Sequence, residues 1–248
     1  MTSPFSESLL EVLSRSHAAD EARRMAATLR EGGSREMRVL GFESFLPGAE
    51  VREQLVEATW RPAAEDRAEA WPFLIRNADR SGDPEAVTAV LEEMGRLRNE
   101  QDPVREAALG ALARVRPALF TEDAEPHLDR IAVQALDSSS DTRYHLSRLA
   151  VGVLREHAAS GRRELVNWAL RTLVRISGNT GAADFGRLDH TLRRGQEHQV
   201  YEALRPWIKA GAEKSDYSVS GTLCVPEGFR LFGRGVAVCR RGGVRTSG

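Results

Sequence analysis

Asp102-Pro103-Val104-Arg105-Glu106-Ala107-Ala108-Leu109-Gly110-Ala111-Leu112 opens with an acid and a proline, then sets small apolar residues and leucine at helical spacing. The same kind of opening, with arginine in second place, stands at Asp66-Arg67-Ala68-Glu69-Ala70 and at Thr142-Arg143-Tyr144-His145-Leu146. Arg67, Arg105 and Arg143 are separated by equal intervals of 38 residues. A fixed period of about 40 residues is the signature of units built from helix pairs.

Each opening leads into one amphipathic helix, a turn and a second amphipathic helix. Val87, Val90, Leu91 and Met94 follow the i, i+3, i+4, i+7 order, as do Leu128, Ile131, Ala132 and Ala135 one unit later. Leu146, Leu149, Ala150, Val153 and Leu154 form the first stripe of the next unit, and Leu165, Ala169, Leu173 and Ile176 the second. Val200, Leu204, Trp207 and Ile208 extend the pattern into one more helix. Ser81-Gly82-Asp83-Pro84, Gln101-Asp102-Pro103 and Ser160-Gly161 supply the turns, with Asp102 expected as an N-cap before a proline at the first helical position. Upstream, Phe5 to Ser14, Ala19 to Arg30, Ser34 to Leu46 and Val51 to Trp60 read as four further helices, broken at Gly32-Gly33 and Pro47-Gly48.

The composition agrees. The 248 residues are 29% charged, 41% hydrophobic and 6% aromatic, and runs of strand-forming residues are nearly absent before residue 217. An all-α fold is expected. A unit of this kind buries its stripe only against its neighbours, so residues 1–213 are read as a right-handed α-α superhelix, a short solenoid. All basic residues except Lys209 and Lys214 are arginine, a bias that GC-rich coding explains more simply than phosphate recognition.

The stretch 102–112 resembles the HEAT repeat family, an armadillo-type α-solenoid, whose units carry an Asp, then Val-Arg, then small apolar residues and Leu. The resemblance spreads more weakly over 66–98 and 141–177. It implies a ladder between units through Asp102, Arg105, Asp141 and Arg143. It also implies that second helices line an inner groove, where Glu92, Glu93, Arg96, Asp129 and Arg130 would meet a partner. The first unit departs from the pattern, because Asp66 directly precedes Arg67 where an apolar residue is expected.

From about Ser215 the helical period stops. Residues 1–213 carry a net charge of -5 and residues 214–248 one of +4, with arginines set among glycines. This tail, 214–248, is read as non-periodic and disordered; an arginine-rich binding segment and a frameshifted end are the alternatives.

No phosphate loop, dinucleotide fingerprint, zinc-protease helix or nucleophile elbow occurs in the chain. The six histidines are scattered, and Cys224 and Cys239 lie in the tail without metal or redox spacing. No catalytic residue, cofactor or metal is expected. The longest apolar run, Leu149 to Leu154, is far too short to span a membrane, and Glu7 and Glu11 interrupt any leader-like face. The expectation is a cytoplasmic, non-enzymatic scaffold that binds a partner protein on its concave face. Two alternatives stand beside it. One is a nucleic-acid binder or enzyme, similar to helical-repeat DNA glycosylases, that uses Trp60, Trp71, Trp168 and Trp207. The other is a fragment of a larger scaffold. The body lacks the basic stripe that phosphates demand, which argues against nucleic acid.

Overall fold

A computed structural model describes residues 7–136, 139–157 and 162–180, together with Arg205, with side chains as far as 176. The tail, the helix expected around Trp207 and the Ser160-Gly161 turn lie outside these residues. Among the described residues every regular element is helical. The α-helices are α1 (Glu7–Leu10), α2 (Arg15–Glu31), α3 (Glu36–Glu43), α4 (Gly48–Ala58), α5 (Ala64–Ser81), α6 (Pro84–Glu93), α7 (Asp102–Leu112), α8 (Glu125–Leu136), α9 (Ser140–His157) and α10 (Arg163–Thr180). Tighter 3-10 turns cover Met94–Asn99, Pro117–Leu119 and Glu122–Ala124.

From α5 onward the helices alternate in kind. α5 packs on α7 and α7 on α9, while α6 packs on α8 and α8 on α10. First helices therefore meet first helices and second helices meet second helices. The apolar stripes read from the sequence are the surfaces that close: the named positions on α6, α8, α9 and α10 are all buried, as is Met94 just beyond α6. They belong to one core cluster that runs without interruption from Met37 to Ile176.

The helix ends follow local chemistry. The Asp83 carboxylate accepts the Glu85 N–H at 3.0 Å, with Pro84 at the first helical position, where its missing N–H costs nothing. Gly82 closes α5 in the left-handed region, at φ +70°. At α7 the cap differs from expectation. Asp102 is the first residue of the helix, Gln101 takes the flanking place, and no side chain caps the end. The Asp102 carboxylate turns instead to Arg105, three residues on. α5 also runs straight through Pro72, which removes one rung of its hydrogen-bond ladder.

The N-terminal helices depart from the predicted boundaries. α1 is a single turn, and α2 begins at Arg15 rather than Ala19, behind an extended Ser14 whose hydroxyl lies 2.6 Å from His17 Nδ1. α2 buries only alanines: Ala18, Ala19, Ala22 and Ala26. α3 is buried on two faces. Met37 and Leu40 join the long core, whereas Val39 and Phe42 join a second, small cluster with Leu10 and the alanines of α2.

Candidate functional site

The second-helix side carries the residues singled out from the sequence, and its most unusual feature stands at one end. Trp60, just after α4, is 65% exposed, whereas Trp71 of α5 is fully buried. The Arg96 guanidinium lies between them, 4.0 Å from the Trp60 ring centre and 4.5 Å from that of Trp71. Such stacking is attractive because each ring face is electron-rich, and it is stronger where water is excluded. Arg96 is 17% exposed.

Arg96 also completes a helix end. Its Nη1 donates to the Thr59 carbonyl at 3.0 Å, and its Nη2 donates to the Thr59 hydroxyl oxygen. Thr59 is the residue that ends α4, so a cation sits where carbonyl groups lack partners and the helix dipole is negative. Burial lowers the Arg96 pKa from its usual value, and the carboxylates of Glu93 and Glu100 oppose that shift. Glu93 stands 3.8 Å from Arg96 Nε.

Next to this group, Arg67 lies in a cleft of about 290 Å³ with Trp60, Arg61, Arg96 and Glu100. Arg67 Nε and Nη2 grip the Glu100 carboxylate at 2.8 to 3.0 Å, and its Nη1 donates to the Arg61 and Pro62 carbonyls. A half-buried fork of this kind holds its geometry far better than an exposed pair. Arg67, in the unit that departs from the repeat pattern, is thus tied across 33 residues.

The other residues expected to meet a partner divide into two groups. Glu92 and Arg130 are exposed, and Arg130 lies over Gly95, where an added Cβ would stand 3.1 Å from its Nη1. Gln134 Nε2 donates to the Gly95 carbonyl at 3.3 Å, the counterpart one unit later of Arg96 on Thr59. Asp129, in contrast, is engaged within the fold: Arg175 Nη1 is 2.9 Å and Arg171 Nη2 3.6 Å from it, and Arg171 also reaches Glu125 at 2.6 Å. Arg96, Asp129 and Glu93 hold units together or brace the residue that does. Val133, one turn from Asp129 and Arg130, is 50% exposed.

Of the residues that the resemblance assigns to a ladder, Arg143 is half-buried in α9. Arg105 pairs with Asp102 inside one helix, and Asp141 is exposed at the start of α9. A further set of ties between units occurs at and just beyond the C-terminal ends of the first helices. Asn77 Nδ2 donates to the Ser44 and Leu46 carbonyls at 2.8 Å each, and Arg80 Nη2 to the Ser44 carbonyl at 2.7 Å. Arg116 donates through its backbone N–H and Nε to the Asp79 carboxylate. His157 Nε2 lies 2.8 Å from the Pro117 carbonyl oxygen, and Arg162 donates to that of Phe120 at 2.7 Å. The partners in these pairs are 31 to 42 residues apart, so the period persists in polar contacts as well as in the core. The donors mix asparagine, histidine and arginine at unequal intervals, which is why no motif in the sequence announced them.

Of the tryptophans proposed as a nucleotide cradle, Trp71 and Trp168 are wholly buried, Trp60 is exposed, and Trp207 falls outside the described residues. No group of three metal-ligating side chains occurs among the described residues, and no helix among them is long and apolar enough to cross a membrane. Compared with known proteins, the chain matches no family model, no curated sequence and no solved structure.

Proposed function

We propose that the chain is a non-enzymatic, HEAT-like α-solenoid that binds a partner protein along the face formed by its second helices. The observation that carries this reading is Trp60. A large indole left two-thirds exposed, held flat by a guanidinium that is itself fixed by Thr59 and Trp71, is a preorganised anchor. Tryptophan and arginine are enriched among the residues that dominate binding energy at protein interfaces, and side chains already held in place have less entropy to lose on binding. Glu92, Arg130 and Val133 continue the exposed surface along α6 and α8. The regular packing of second helix on second helix supports a solenoid, since each unit repeats the same relation to the next.

The test compares the tagged full chain with its Trp60→Ala/Arg130→Glu variant in capture from native lysate, with and without nuclease. Both positions are exposed, so the variant keeps its fold, which circular dichroism checks. A stoichiometric protein that survives nuclease and is lost in the variant is the expected result. Equal capture by both chains overturns the assigned face. Loss of all capture with nuclease overturns the protein-scaffold reading.

A further inference from the structure

A second cleft lies away from Trp60, at the edge where first helices end and turn. It encloses about 500 Å³, and a second hollow of about 200 Å³ continues it, the two sharing Glu11, Asp79 and Arg80. The floor is apolar, made by Leu10, Ala18, Ala19, Phe45 and Leu46, and Leu13 stands half exposed at its margin. The rim is cationic. Arg15, Arg76, Arg80, Arg114 and Arg116 face Glu11 and Asp79, five guanidiniums against two carboxylates, on a body whose net charge is negative.

These arginines are not equivalent. Arg116 is matched by Asp79 at 3.0 Å. Arg80 lies 3.9 Å above the Phe45 ring, donates to Ser44, and has Glu11 at 3.8 Å. Arg15 donates to the Ser81 carbonyl at 2.9 Å, which leaves its positive charge unneutralised by that contact. Arg76 and Arg114 form no ion pair among the described residues. Positive charge is thus concentrated beside an apolar hollow wide enough for a large side chain.

We propose that this cleft docks an acidic peptide segment, with a Leu or Phe side chain seated on the Phe45 floor and its flanking carboxylates on Arg76 and Arg114. The argument is charge complementarity joined to shape. A phosphate backbone would satisfy the arginines but leave the apolar floor uncovered, whereas a peptide of alternating acidic and apolar residues satisfies both. The proposal rests on the chain being a partner-binding scaffold, but not on the face assigned through Trp60.

The experiment measures fluorescence anisotropy of a short labelled peptide of Glu and Asp around a central Leu-Phe pair, titrated with the full chain. Oligothymidylate and a peptide with Lys in place of the acids serve as competitors. The expected result is binding that weakens with salt and falls by about tenfold or more in Arg76→Glu/Arg114→Glu. Arg38→Glu/Arg98→Glu, both exposed and remote from the cleft, makes the same change in net charge and leaves binding intact. Absence of peptide binding, equal loss in the two double variants, or tighter binding of oligothymidylate through the same arginines each overturns the proposal. Trp60→Ala/Arg130→Glu keeps the cleft, so peptide binding retained there separates this site from the second-helix face.

Discussion

The two ends of the described chain use different means to hold a helix in place. From α5 to α10, leucine, isoleucine, valine and two tryptophans interlock in one continuous core. α2 rests on α3 through alanines, which bring the helices close but bury little area each. What α2 lacks in burial it gains partly from arginine: Arg23 reaches Glu50 at 2.7 Å, Arg30 pairs with the buried Glu43, and Arg15 donates to the Ser81 carbonyl. The exposed Arg23–Glu50 pair is weak and screened by salt, so the repeat half carries most of the stability and α2 rides on it.

The widest gap between the halves appears on removing a core tryptophan. Trp168→Ala empties a wholly buried site in α10 and is expected to cost about 3–5 kcal/mol, read as a fall in the urea midpoint. Asn77→Ala tests the seam. It leaves the Leu46 carbonyl without its donor and the Ser44 carbonyl with Arg80 alone, and is expected to cost about 1–3 kcal/mol, with amide exchange rising in α1 to α3 more than in α7 to α10. Exchange rising equally everywhere would mean that the halves unfold as one.

Gly82→Ala sharpens the same boundary at smaller scale. Its backbone is left-handed, and the added methyl would lie 2.7 Å from Arg15 Nη2, so the change strains α5 and displaces α2's contact to Ser81 together. A loss of about 1 kcal/mol is expected from the backbone alone. In the repeat half, burial lowers the His157 pKa, and its hydrogen bond to Pro117 opposes the shift only in part. The folded state therefore holds the neutral ring, while the unfolded chain protonates near the usual imidazole value of 6.5. Stability is full above that pH and declines as pH falls below it toward the folded pKa. His157→Asn is expected to flatten this slope in the thermal midpoint, and His145, shifted in the same direction by burial, contributes with the same sign.

The legible parts of the fold were those that repeat. Stripes such as Leu146, Leu149, Ala150, Val153 and Leu154 were read correctly because a helix returns every third or fourth side chain to one face, whatever the neighbour. The N-terminal boundaries were read less well. α3 sets apolar side chains on more than one face, and its role as a bridge between two clusters depends on what packs against each.

The site was less legible for the same reason. The resemblance places Arg96 in a groove, but its role is set by Thr59 and Trp71, 37 and 25 residues away in sequence. Asp102 and Arg105 form a pair within one helix, while ties between units fall to residues such as Asn77, Arg116 and His157, which stand at no common position of the repeat pattern. Five arginines scattered from position 15 to 116 carried no pattern until the turns of α5 and α7 met α1 and α2.

Periodicity and composition by themselves determined that the described residues are helical and where their apolar stripes lie, because those properties follow from the geometry of a single helix. Which tryptophan is left in solvent, which arginine is desolvated and where positive charge collects were decided only by the tertiary structure. Exposure and pairing are properties of the space between helices, and no local stretch of sequence encodes that space.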